Sequence, residues 1–261
     1  MKDDLGAEVP LSGPPKRVVS LVPSLTEAVA TTVPDVLVGA TDYCTHPADL
    51  DVARVGGSKY PKVDAVLDCA PDLVLGNSEE NRLEDVRRLR EAGVPVWAMA
   101  APETVPMALE SLRTLFTRVF EVEAPAWLVE SEDTWRETQS IRARAVVPVW
   151  RKPWVVLGRD TFGGDILRRL GVHNVYADDP EDADRYPRPT LDDLRARFDR
   201  GEADLLVLPD EPYEFTDADG PDHFPGVPYV LVSGRLLNWY GPSLVEARKE
   251  LSAAFADLGA R

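Results

Sequence analysis

Apolar residues fall along this chain in short β-branched runs, and between the runs they recur every three to four positions; the two patterns alternate. Val18-Val19-Ser20-Leu21-Val22 predicts a strand, closed by Pro23 and by Ser24, whose hydroxyl suits the cap of a helix over 25–32. A second strand is expected over 36–40, followed by a polar, aromatic loop over 41–47. After Gly56-Gly57 comes a helix over about 63–69, and Asp72-Leu-Val-Leu75 reads as a buried strand. Leu83, Val86 and Leu89, with Gly93 beyond them, predict a helix that feeds a strand over 94–98. Strands alternating with helices argue for a mostly parallel sheet.

The same order returns later: strand 154–157, loop 158–162, helix 164–170, strand near 174–176, helix 191–200, strand 205–208, and a final helix over 244–258. Asp72-Leu-Val-Leu-Gly-Asn-Ser-Glu79 and Asp204-Leu-Leu-Val-Leu-Pro-Asp-Glu211 both run from an acid through an apolar strand to an acidic loop. The expected fold class is therefore α/β, with two lobes of mostly parallel sheet. Between them, residues 124–147 carry Trp127, Leu128, Trp135 and Ile141 among arginines and glutamates, with no glycine. One long backbone helix is expected there, roughly 35 Å long at the usual rise, joining the lobes and leaving a ligand cleft between them. The expected divisions are a disordered or extended segment 1–16, a lobe 17–123, the linking helix 124–147 and a second lobe 148–261.

With 261 residues and 44% hydrophobic, the chain can bury a substantial core. Its 45 Asp and Glu against 29 Lys and Arg give a net charge of −16, which argues against nucleic acid and anionic membranes as partners. Cys44 and Cys69 are too few for a disulfide framework and lack zinc spacing. The first residues show no signal-peptide pattern, and no apolar run is long enough to span a membrane. As written the chain reads as cytoplasmic, without membrane insertion and monomeric; with a leader removed it would read as extracytoplasmic and membrane-associated.

In open parallel sheets ligands collect beyond the carboxyl ends of the strands. The loops expected there carry Ser24, Tyr43, Cys44, His46, Lys59 and Tyr60, then Asn77, Glu80 and Arg82. The second half adds Phe162, Tyr186, Glu211, Tyr213, Trp239 and Tyr240. Aromatic faces with a few polar groups suit a flat, partly apolar small molecule. Other readings stand beside this one. Trp239-Tyr240 could plug the end of a sheet, and Cys44 with His46 could form a thiolate–imidazole pair. His46 could be an axial ligand to a metal already held by a chelator, or simply a hydrogen-bonding loop residue. Lys59 and Arg82 could meet ligand carboxylates or pair with Glu79 and Glu80. The acidic stretch 178–184 reads as a solvated surface. No phosphate-binding glycine motif occurs.

Three blocks carry a family resemblance: Arg17-Val-Val-Ser-Leu-Val-Pro-Ser-Leu-Thr-Glu27, Val38-Gly-Ala-Thr-Asp-Tyr-Cys-Thr-His-Pro47 and Ala70-Pro-Asp-Leu-Val-Leu75. With them the chain resembles the helical-backbone periplasmic-binding-protein-like receptors of ABC importers that bind cobalamin and siderophores. The resemblance implies a binding protein rather than an enzyme, delivering a metal chelate or tetrapyrrole (cobalamin, haem or ferric siderophore) to a permease. It implies no tightly bound cofactor, the metal being the iron or cobalt of the ligand. Tyr43, Phe162 and Trp239 match aromatic positions of the cobalamin cleft, and His46 falls where another aromatic stands. Asp64 and Asp192 match the carboxylates that dock on the transporter. Lys59 stands near an expected tryptophan, which turns the expectation toward ligands bearing carboxylates. The alternative is a cytoplasmic enzyme, chelatase or sensor working through Cys44 and His46.

Overall fold

Val18, Val19 and Ser20 are fully buried, and a run enclosed on both faces belongs in the middle of a sheet. In the computed structural model, which describes residues 1–178 and 184–256, this run is β1 (Val18–Ser20), the central strand of the first sheet. The chain continues through α1 (Pro23–Thr32), β2 (Leu37–Ala40), β3 (Ala53–Arg54), α2 (Val63–Asp68), β4 (Leu73–Asn77), α3 (Leu83–Glu91) and β5 (Val96–Met99). The sheet has the order β3-β2-β1-β4-β5, and all its pairings are parallel. Val19, Leu21 and Val74 pack with Val63, Val66 and Leu89 in its core. Each such fully buried side chain is worth about 1.5–3 kcal/mol.

Two further helices follow, α4 (Val105–Thr114), with a π-helical continuation over Leu115–Val119, and α5 (Ala126–Thr134). The second sheet is built from β6 (Ala143–Val146), β9 (Val172–Asn174), β10 (Leu205–Pro209) and β11 (Tyr229–Val232) in the order β11-β10-β6-β9, again all parallel. The pair β7 (Pro148–Trp150) and β8 (Val155–Val156) is a separate antiparallel ribbon. Helices α6 (Phe162–Arg169), α7 (Leu191–Asp199), α8 (Gly234–Asn238) and α9 (Ser243–Ala254) complete this part. Val146, Leu194, Leu206, Leu208 and Phe215 form its core.

The repeat suspected between the halves is present in the winding. In each sheet the first strand lies between the next strand of that sheet and the acid-opened strand, β4 or β10, which is followed outward by one more strand, so β4 and β10 hold equivalent places. The acid that opens each of them does the same work. Asp72 accepts from the amides of Lys16 and Arg17 at 2.8 and 2.9 Å, and Asp204 accepts from the amide of Arg144 at 2.8 Å. Each carboxylate thereby pins the start of the first strand of its sheet.

Several expectations are corrected. The single helix over 124–147 does not form: α5 ends at Thr134, and the chain then extends into β6. On one side nothing is broken: α5 opens just after Pro125, near the expected start, and Pro125 accepts from the amides of Leu128 and Val129. On the other, Ala143 to Val146 find pairing partners in β9 and β10, and this pairing overrides helical propensity. The strand expected over 154–157 is only β8, and β6 takes the place assigned to it. Ser24 is not a helix cap, because Pro23 already occupies the first helical position and Val22 is the cap residue. Residues 1–16 fold back in a turn closed by a bridge between Lys2 and Glu8 and are firmly attached: Asp3 accepts from Leu5 and Ala7 and pairs with Arg90 at 3.0 Å, and Val9 is buried. The compact units accordingly divide elsewhere, the first holding Met1–Ala101, Leu109–Val129 and Tyr240–Pro242, the second holding Pro102–Ala108, Glu130–Trp239 and the chain from Ser243 onward. Of the acidic stretch 178–184, residues 179–183 lie outside the described residues, as do 257 and 258 of the expected final helix.

Candidate functional site

The first sheet reverses its winding between β1 and β4, so the loops leaving these two strands diverge at their carboxyl ends, the position where open α/β sheets hold ligands. From β4 the chain enters a tightly held loop. Asn77 accepts on Oδ1 from the amides of Glu79 and Glu80 at 2.7 and 3.3 Å. Asn81 turns back to accept from the Asn77 amide at 2.7 Å and donates to the carbonyls of Ser58 and Leu21. Any side chain at Gly76 would start 2.9 Å from Asn81 Oδ1, so this closure requires glycine. With Oδ1 committed to backbone amides, Asn77 Nδ2 points to the Tyr240 hydroxyl, to which it donates at 2.6 Å. Asn81 was missed in the sequence; its spacing of four from Asn77 is the signal that marks it.

Ser24, 3% exposed, makes no hydrogen bond of ordinary geometry, yet lies beside the Tyr240 hydroxyl closely enough to favour its ionised form. Burial, and after it the charge of Glu80, drive the Tyr240 phenol well above its ordinary range. Glu80 is half-buried, and burial, with the charge of Glu79, pushes its pKa up to about 8.

On neighbouring loops the first unit presents aromatic rings. Tyr43 and Tyr60 are 66% and 65% exposed, and the Arg82 guanidinium lies over the Tyr60 ring at 4.7 Å. Arg82 is also bidentate on Asp85 at 2.9 and 3.1 Å, which replaces the pairing with Glu79 or Glu80 considered above. Lys59 is exposed. The loop bearing Tyr43 is held by Arg54, another residue not singled out beforehand, which donates to the carbonyls of Thr41, Cys44 and Leu50.

Cys44 does not reach the ligand side. It is fully buried, its thiol lies 3.0 Å from the Thr26 hydroxyl and 3.1 Å from that of Thr41, and burial raises its pKa. His46 is half-buried, and its Nδ1 is shared with the Thr45 hydroxyl at 3.0 Å. A thiolate–imidazole pair is thus not assembled, because the core takes up the thiol while the ring turns to its own loop. Among the described residues no group of three or more His, Cys, Asp or Glu side chains is arranged to hold a metal ion.

In the second unit, Phe162 opens α6 and Trp239 follows α8; they are only 6% and 8% exposed. Glu211 leaves β10 as Glu79 and Glu80 leave β4. Burial and the charge of Asp210 raise its pKa, against a bond from the Trp239 side chain and the charge of Arg235. Tyr213 donates to Asp219 at 2.6 Å and packs on Phe215 and Trp150, and Tyr186 is half-buried. Both docking candidates are open to solvent. The side chains of Asp64 and Asp192 are 93% and 95% exposed, with long ion pairs to Arg88 at 4.0 Å and Arg195 at 3.9 Å. Each stands second in the helix that leads into its sheet's equivalent strand, β4 or β10.

Residues 18–197 match the family model described as periplasmic binding protein. A Bacillus subtilis (strain 168) ABC transporter substrate-binding lipoprotein, YvrC, is 24% identical over 189 residues, covering 67% of this chain; the chain spans 60% of that relative's length. A vitamin B12-binding protein of Vibrio parahaemolyticus is 22% identical over 191 residues, 70% of this chain and 68% of the relative. Among solved structures, a periplasmic heme-binding protein of Pseudomonas aeruginosa superposes with a TM-score of 0.76 at 24% identity over 92% of each chain. The Vibrio cholerae vitamin B12-binding protein BtuF gives 0.74 at 16% identity, covering 95% of this chain and 99% of that one. The heme-binding protein RhuT of Roseiflexus gives 0.74 at 19%, covering 93% and 98%.

Proposed function

This chain belongs to the periplasmic binding protein family, and from that membership we propose that it is the substrate-binding receptor of an ABC importer, capturing a metal chelate or tetrapyrrole of the cobalamin, haem or ferric siderophore class. The observation that carries the reading is the strand-end face of the first unit. A braced loop sets Asn77, Glu80 and Tyr240 at the winding reversal, with the exposed rings of Tyr43 and Tyr60 on neighbouring loops. Rings of this kind give a flat ligand contact area at little entropic cost, and the few polar tips orient it. The names of the relatives, a substrate-binding lipoprotein and vitamin B12- and heme-binding proteins, support the same ligand class.

The protein binds its ligand without transforming it. The buried Cys44 and the loop-bound His46 supply no nucleophile, so His46 serves at most as a contact to a metal the ligand already carries. Asp64 and Asp192 dock on arginines of the permease, and their near-complete exposure at equivalent helix starts supports that role. Work beside a permease puts the receptor outside the cytoplasm. Among the described residues no helix is long and apolar enough to cross a membrane.

Absorbance titration of the purified protein with haemin, cyanocobalamin and a set of ferric siderophores tests the assignment. Saturable binding of one of them at a 1:1 endpoint is expected; no saturation by any member would remove the assignment's support.

A further inference from the structure

The two sheets treat their outer strands differently. On β5, an edge of the first sheet, residues 96 and 98 turn their backbone groups away from β4, and side chains cover them. Arg90 donates to the Val96 carbonyl at 3.2 Å, and Asp3, itself paired with Arg90, accepts from the Ala98 amide at 3.4 Å. An edge covered in this way does not take up a strand from another chain. On β11, an edge of the second sheet, the Leu206 amide donates to the Pro228 carbonyl and the Asp210 amide to the Val232 carbonyl, so the even-numbered residues of this strand turn to β10. The amides and carbonyls of Tyr229 and Leu231 therefore face outward, and among the described residues nothing bonds to them. Both side chains are exposed as well.

Beside this bare edge lies a groove of about 460 Å³. Leu208, Phe215 and Leu231 supply its apolar lining, and Asp210, Thr216 and Asp217, all exposed, its polar lining. Both carboxylates are held in place: Asp210 accepts from the Gly234 amide at 2.6 Å, and Asp217 accepts from the Tyr229 hydroxyl at 2.8 Å. Neither has a cation to balance it among the described residues. Arg151 is engaged by Asp219 and Arg235 by Glu246. An open strand edge thus runs past apolar surface and two fixed, uncompensated negative charges, all within the second unit.

We propose that β11 is a docking edge for another protein, taking an extended segment in which basic and apolar residues alternate. The segment adds as a further strand, its backbone bonding to the outward amides and carbonyls of Tyr229 and Leu231. Successive side chains of a strand point to opposite faces. On the face of Tyr229 and Leu231, the stem of a lysine or arginine covers the apolar lining while its charged head reaches Asp217 or Asp210. On the other face, apolar residues extend the surface of Val230 and Val232. A second copy of this chain is the wrong occupant: with a net charge of −16 and the same aspartates beside its own β11, it meets this edge with like charge. The inference is independent of the ligand reading and uses none of the residues on which that reading rests.

The probe is a short fluorescent peptide of alternating lysine and valine, blocked at both ends. Its controls are the same peptide with glutamate in place of lysine and the lysine peptide N-methylated on alternate residues, which removes the donors of one backbone edge. Fluorescence anisotropy should show saturable binding of the lysine peptide and none of the glutamate peptide. N-methylation tests the strand contact on the unaltered protein and should weaken binding about tenfold or more, the size of at least one backbone hydrogen bond. Leu231→Pro deletes one outward amide without removing a bond of the sheet and should weaken the lysine peptide by about as much. Asp217→Lys should do so too, through repulsion. Absence of saturable binding of the lysine peptide overturns the proposal. So does equal binding of the lysine peptide and its N-methylated form, which would show attraction of charge without strand addition. A dimer in sedimentation that Leu231→Pro splits would give the edge to a second copy and likewise overturn it.

Discussion

Asn77 donates to the hydroxyl of Tyr240 at 2.6 Å, joining residues 163 positions apart in one buried cluster. The bond ties the end of strand β4 to a three-residue return of the chain, Tyr240–Pro242, that completes the first unit. Tyr240→Phe removes the acceptor and leaves Asn77 Nδ2 buried without a partner. The expected cost is about 1–3 kcal/mol of unfolding free energy, read by urea denaturation. A loss within error of zero would show that this hydrogen bond does not hold the cluster.

Asp165 is the buried ionic centre of the second unit. It bonds to Arg169 at 2.7 Å and Arg168 at 2.9 Å and accepts from the amide of Val105 at 2.9 Å. Burial works against its charge, but these bonds outweigh burial and hold the carboxyl below its ordinary range. Its contribution to stability is therefore complete above the usual carboxylate pKa and is lost as pH falls through the lowered value. Glu80 has the opposite sign: its folded pKa is raised, so the stability its neutral form contributes is complete below the unfolded value and is lost as pH rises toward about 8. Asp165→Asn should cost about 3–5 kcal/mol near neutrality, whereas Glu80→Gln should stabilise the protein near pH 8. Denaturation midpoints for both variants across pH decide the matter, and either sign reversed contradicts the assignment.

The docking role of Asp64 and Asp192 separates from ligand binding. Asp64→Lys with Asp192→Lys should leave ligand affinity within a few-fold while abolishing stimulation of the cognate permease–ATPase in proteoliposomes. Stimulation that survives the double reversal would leave the two aspartates as ordinary first-turn acids, favoured there by the helix dipole.

Cys44 should be chemically silent. Its thiol is enclosed between Thr26 and Thr41, and its raised pKa keeps it protonated. Peptide mapping after treatment with a thiol reagent should find Cys44 unlabelled until denaturant is added. Rapid labelling in the native state would revive a reactive role for it.

Much of the fold was legible where local pattern and tertiary demand agree. The runs around Val18 and Leu73 are buried on both faces, and β1 and β4 formed where they predicted. Gly93, at φ +83, ends α3 as a glycine past a helix should. The linking stretch was misread because the strand character of Ala143 to Val146 comes from its neighbours in the sheet rather than from its own residues. β3 has two residues and β11 is largely exposed, so neither carries a periodic signal. Asn77, Glu80 and Tyr240 were legible as strand-end residues. Their closure into one cluster was not, since it depends on Asn81, on Gly76 and on a contact spanning most of the chain.

The most direct test of the central claim is hydrogen–deuterium exchange of the protein with and without whichever of haemin, cyanocobalamin or a ferric siderophore it binds. Slowed exchange in the loops over 41–47, 57–60 and 77–82 is the predicted result. Unchanged exchange in all three, with protection confined to the helices α2 and α3, would contradict the account.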